Sequence, residues 1–135
     1  MRTIFLVILS LVFSSTLFGD SNDTSSTQDK LVKESVDVYY FHGNRRCETC
    51  KAVGDVSQEL IASKYKEYPN VKFIEINTDE PESKVFLEKF KVSGSGLLVD
   101  NGKAPVNITV YAFQYALTNP DKLKNKLIQL INRNL

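Results

Sequence analysis

Apolar residues fall along this chain in two rhythms, and the change from one to the other marks the elements. Residues 38–41, Val-Tyr-Tyr-Phe, form a short continuous apolar and aromatic run that reads as a buried strand, and Gly43 and Asn44 break it. From Cys50 the apolar positions Val53, Val56, Leu60, Ile61 and Tyr65 recur at three- and four-residue spacing, which predicts a helix with one buried stripe. Gly54 weakens that helix by about 1 kcal/mol relative to alanine, and either marks close packing against a strand or is neutral. Pro69-Asn70 ends the segment, and Val-Lys-Phe-Ile-Glu-Ile over 71–76 predicts a second strand. Residues 77–81 predict a turn into a helix with Pro81 in its first turn and Val85, Phe86, Leu87 and Phe90 as its apolar face. Two strands joined through a helix require a crossover, so this half is a parallel βαβ unit.

The second half has another pattern. Residues 96–99 predict a short strand, the Asn101-Gly102 pair predicts a tight hairpin, and the alternation over 106–111 predicts a returning antiparallel strand. Residues 112–117 fit either a loop or a short helix. Asn119-Pro120-Asp121 has the form of an N-cap, a first-position proline and an early acid, followed by Leu123, Leu127, Leu130 and Ile131 on one face of a terminal helix. The expected fold class is α/β, a mixed sheet flanked by helices in three layers. The aromatics Tyr39, Tyr40, Phe41, Phe73, Phe86 and Phe90 occupy expected core positions.

The N-terminal third is organised differently. Residues 1–19 carry one positive charge, Arg2, and an apolar run interrupted by Ser10, Ser14, Ser15 and Thr16, the form of a signal peptide. The run is shorter than the roughly 20 apolar residues that span a bilayer, so cleavage is favoured and an uncleaved membrane anchor is the alternative. Residues 20–30 hold no apolar side chain and are rich in Ser, Thr and Asp, as in a flexible polar linker. The folded domain is expected over 31–135, and exported.

Charge excludes one class of partner. The 17 basic and 16 acidic residues of the 135-residue chain leave a formal net charge of +1 without a basic stripe, so nucleic acid is not an expected partner. The chemistry concentrates at Cys47 and Cys50, the chain's two cysteines. A loop this small stabilises a fold little, which favours a chemical role over a structural staple. Strand, turn, Cys-X-X-Cys and helix is the order of parts of a dithiol redox site, because a helix N-terminus offers free N–H groups and partial positive charge to a thiolate. Cys47 is the expected nucleophile, and Cys50, one turn on, the thiol that resolves the mixed disulfide. Arg45 and Arg46 favour the Cys47 thiolate and Glu48 opposes it, for an expected pKa below the free value of about 8.5. His42 is expected to hydrogen-bond at the strand end; proton donation to a leaving thiolate and metal ligation are its other readings. Cys47, Cys50 and His42 fall short of the four ligands of a structural zinc site, so neither a metal nor a cofactor is expected. Two soft thiolates suit Cu(I) or As(III), which leaves a binding module as one alternative function and a partner-binding subunit with a structural disulfide as another.

The arrangement from residue 36 onward resembles the thioredoxin fold, and the likeness extends to 71–80 and to Phe90-Lys-Val-Ser-Gly. More narrowly, Tyr40-Phe-His-Gly-Asn-Arg-Arg-Cys-Glu-Thr-Cys-Lys-Ala-Val resembles the nitrophenyl compound nitroreductase subunit ArsF family, small exported thioredoxin-like proteins of bacterial arsenic-resistance operons. That resemblance implies a thiol:disulfide oxidoreductase whose partner is a protein or small dithiol. No flavin or nicotinamide motif is present, so nitro reduction would draw its electrons from elsewhere. Against ordinary thioredoxins, Arg-Cys-Glu-Thr-Cys replaces Trp-Cys-Gly-Pro-Cys. Gly96 stands where the cis-proline facing the dithiol is expected and leaves backbone to pair with a substrate strand. The buried acid that serves the second cysteine would fall near Tyr40 or Phe41, where this chain has no carboxylate.

Overall fold

A computed structural model describes residues 34–135; the signal-peptide and linker readings of 1–19 and 20–30, and the first residues of the expected domain, lie outside these. Four strands, β1 (Val36–His42), β2 (Val71–Asn77), β3 (Gly96–Asp100) and β4 (Val106–Asn107), form one sheet in the order β2-β1-β3-β4. β1 runs parallel to β2, with Val36 opposite Val71 and His42 opposite Asn77, and antiparallel to β3, with Phe41 opposite Gly96. The crossover between β1 and β2 is helix α1 (Glu48–Lys64). A single 3-10 turn at Pro81–Ser83 leads into α2 (Lys84–Phe90), and α3 (Thr109–Tyr115) and α4 (Pro120–Asn132) complete the chain.

Because side chains alternate across a strand, β1 feeds two cores. Val36, Val38 and Tyr40 pack with Leu97 and Val99 against α1, α3 and α4, burying Val53, Leu60, Ile61, Ala112, Leu123, Leu127 and Ile131. Tyr39 and Phe41 face the other way with Ile76 and Leu98, under Phe90 and the half-buried Phe86 and Leu87. The mixed sheet between helices is the three-layer α/β architecture expected. Gly54 has the close-packing role: a Cβ there would come 2.7 Å from Tyr40 Cε1. In α4, Asn119 accepts from Lys122 N–H and Pro120 occupies the first turn, while Leu123, Leu127, Leu130 and Ile131 are buried at helical spacing.

Three expectations fail. The hairpin at Asn101-Gly102 is not a tight one: residues 101–105 separate β3 from β4, and Asn101 Oδ1 accepts from Lys103 N–H at 3.1 Å and from Ala104 N–H at 3.2 Å. The strand over 106–111 stops after two residues, and α3 begins at Thr109. Asn107 Oδ1 accepts from Thr109 N–H at 2.9 Å, an Asx turn, and the Thr109 hydroxyl accepts from Leu97 N–H at 3.0 Å, so side chains take bonds that a longer ladder would have used. Val85 is not on the buried face of α2; it is 72% exposed.

Candidate active site

Leaving β1, the chain turns through Gly43 and Asn44 and reaches Cys47, which caps α1. Cys47 backbone is extended, and its sulfur accepts from Cys50 N–H at 3.2 Å, filling the place of the usual serine or aspartate cap. Cys47 and Cys50 form a disulfide with Cα atoms 5.1 Å apart. The two are unequal in access: Cys47 is exposed, whereas Cys50 is 8% exposed. One sulfur therefore faces an incoming partner and the other lies behind it.

The turn is held from β2. Asn44 N–H donates to Asp79 Oδ2 at 2.6 Å, Asn77 donates to Asn44 Oδ1 at 2.8 Å, and Thr78 N–H donates to the His42 carbonyl at 2.7 Å. The parallel register then sets side chains of like parity beside one another on the α1 face: Tyr40 and His42 from β1, Glu75 from β2. His42 is buried; its Nε2 lies 3.0 Å from Glu75 Oε1, and its Nδ1 lies 3.0 Å from both Arg46 Nε and the Gly43 carbonyl. The Arg46 guanidinium also pairs with the Glu75 carboxylate and lies 5.8 Å from the centre of the Tyr40 ring. Tyr40, fully buried, donates its hydroxyl to the Cys50 carbonyl at 2.5 Å. Burial pushes the Tyr40 hydroxyl above its ordinary range; Arg46 lowers it, and Glu75 and Asp55 raise it further.

Of the residues singled out by sequence, the structure thus brings His42 and Arg46 together beside the turn that leads to the dithiol. Arg45 is exposed and enters no ion pair among the described residues. Gly96 lies opposite Phe41, at the end of the sheet from which the chain departs toward Cys47, and a Cβ on it would come 3.0 Å from Thr109 Oγ1. No hydrogen bond joins it to either cysteine among the described residues. A groove of about 820 Å³ adjoins it, lined by Ser95, Lys91, Thr109, Tyr111 and Lys126 among others, and neither cysteine takes part in it. Among the described residues no group of three or more His, Cys, Asp or Glu side chains is placed to hold a metal.

Glu75, Asn77 and Asp79 were not anticipated as parts of the site. Glu75 is the one acid of the 71–77 strand, and laying that strand in parallel beside 36–42 sets it opposite Tyr40, which was the available signal.

No protein-family model matches the chain, and no curated protein matches it. Among solved structures, the chain is similar to thioredoxin O2 from Arabidopsis thaliana in its oxidized state. The two are 23% identical, covering 72% of this chain and 76% of that one, with a TM-score of 0.51. A structure described as that of a malarial protein is 21% identical and covers 75% of this chain and 98% of the other, with a TM-score of 0.49. With the four-stranded mixed sheet and its flanking helices, the first of these likenesses establishes that the chain has a thioredoxin-like fold.

Proposed function

We propose that the protein is a thiol:disulfide oxidoreductase that exchanges a disulfide with a protein or small-dithiol partner. The observation that carries this reading is the unequal access of the two sulfurs on one helix N-terminus, Cys47 exposed and Cys50 buried. In the reducing direction, the Cys47 thiolate attacks a partner disulfide, forms a mixed disulfide and expels one partner thiolate. Cys50, deprotonated, then attacks the Cys47 sulfur, expels the second partner thiolate and leaves the Cys47–Cys50 disulfide, so two electrons pass to the partner. The Cys50 N–H that Cys47 accepts from, and the free N–H groups of the first turn of α1, favour the attacking thiolate. The reverse sequence oxidises a dithiol partner through the same atoms.

Residues 1–19, read as a signal peptide or membrane anchor, support placing this activity outside the cytoplasm, where a membrane or soluble dithiol donor would return the pair to its reduced form. Membership of an arsenic-resistance or nitroreductase system rests on the resemblance of the residue string 40–53 alone, with no family model matching the chain.

The test is the reduction potential of the full chain, by equilibration in glutathione or dithiothreitol buffers with thiol trapping. A reversible two-electron transition above about −300 mV is expected. A pair that stays oxidised below that value is a structural disulfide, and the catalytic reading falls. Stoichiometric capture of Cu(I) or As(III) without turnover of a disulfide substrate would put a binding module in its place.

A further inference from the structure

We propose that Glu75 is a positioning residue that sets the acidity of Cys47 by neutralising Arg46, the cation next to it in the chain; this deepens, and rests on, the reading of Cys47 as the attacking thiol. A free guanidinium at that position would favour the Cys47 thiolate. Arg46 instead pairs with Glu75, contacts the buried ring of His42 and lies over Tyr40. Glu75 also meets His42 on a second side, with Nε2 3.0 Å from Oε1. The Arg46 and Glu75 side chains are 30% and 40% exposed, and an ion pair so open to water adds little to stability. Its effect is therefore sought in the charge presented to the sulfur.

The groups around the turn come from every side: Tyr40 and His42 on β1, Glu75 on β2, Asp79 after it, Arg45 in the turn itself, and Glu48 and Asp55 on α1. Among the described residues, Glu75 is the one carboxylate paired with Arg46. Removing its charge leaves the guanidinium uncompensated one residue from Cys47. The thiolate then gains, the dithiol form becomes easier to keep, and the pair becomes more oxidising.

The experiment titrates Cys47 in the full chain by the pH dependence of its alkylation by iodoacetamide, with Cys50→Ser throughout so that one thiol reports. Glu75→Gln is expected to lower the midpoint and raise the thiolate fraction at pH 6 at least threefold. Glu75→Lys shifts it further the same way. In an Arg46→Gln background, Glu75→Gln is expected to move the midpoint less than a third as far. An unmoved or raised midpoint overturns the proposal, and so does an equal drop with and without Arg46, since Glu75 would then act on the sulfur directly. Failure of the parent protein to exchange with glutathione overturns the oxidoreductase reading and leaves these midpoints as they are; absent coupling overturns the role of Glu75 and leaves exchange intact.

Discussion

Tyr40 is the residue on which helix, sheet and site converge. Its ring fills the space that Gly54 leaves open, and its hydroxyl donates to the Cys50 carbonyl. Gly54→Ala would place a methyl group 2.7 Å from Tyr40 Cε1. Alanine gains about 1 kcal/mol of helix propensity, but overpacking a filled core costs about 1–3 kcal/mol, so a net loss is expected. A urea midpoint equal to or above that of the parent protein would refute it. The glycine itself was legible as a weak point in a helical pattern, with close packing as one of its two readings and neutrality as the other. Its partner was not, because a strand tyrosine looks the same whether its hydroxyl reaches water or a buried carbonyl. Glu75 was hidden for a related reason: a strand that carries both Lys72 and Glu75 reads as a solvent-exposed edge until the neighbouring strand is set in register.

At the scale of elements, α1 owes its first turn to a cysteine acting as a cap. In reduced protein, Cys47→Ser retains an acceptor for Cys50 N–H, whereas Cys47→Ala leaves that N–H without one. The alanine variant is expected to be less stable than the serine variant by about 0.5–2 kcal/mol, measured by denaturant unfolding under reducing conditions. The segment 106–117 carries the opposite lesson. Val106, Ile108 and Val110 alternate and are β-branched, which favours a strand by propensity, yet the buried positions are Ile108, Ala112 and Ala116 at helical spacing, with Val110 83% exposed. Local pattern supported both periods, and the Thr109 hydroxyl, by taking Leu97 N–H, marks where the ladder gives way. Thr109→Val leaves that N–H without its partner and should cost about 1–3 kcal/mol. A loss well under that range would mean that another acceptor replaces the hydroxyl.

For the whole molecule, pH is a probe of how the core holds its tyrosines. Burial, followed by the charges of Asp37 and Asp100, raises Tyr39; burial raises Tyr40 and Tyr65 as well. The neutral hydroxyl is favoured in the fold, so this contribution is complete below the ordinary value of 10.0 and is lost as pH rises from there through the folded values. Urea midpoints should hold steady on this account up to about pH 10 and fall above it. A midpoint that rises there would contradict the assignment. The overall architecture was legible because α1 and α4 carry long periodic apolar stripes, and the two parallel strands show as runs rich in apolar residues at 38–41 and 71–76 on either side of α1.

The sheet is unequally covered, by α1, α3 and α4 on one face and by the seven-residue α2 on the other. Partial openings should therefore begin on the thin face, with amides of 84–90 exchanging with deuterium sooner than those of 53–61. The dithiol stands on α1, on the thick face. Mild denaturant that already loosens α2 should leave thiol exchange at Cys47 running, so the reactive end of the molecule outlasts its opposite side.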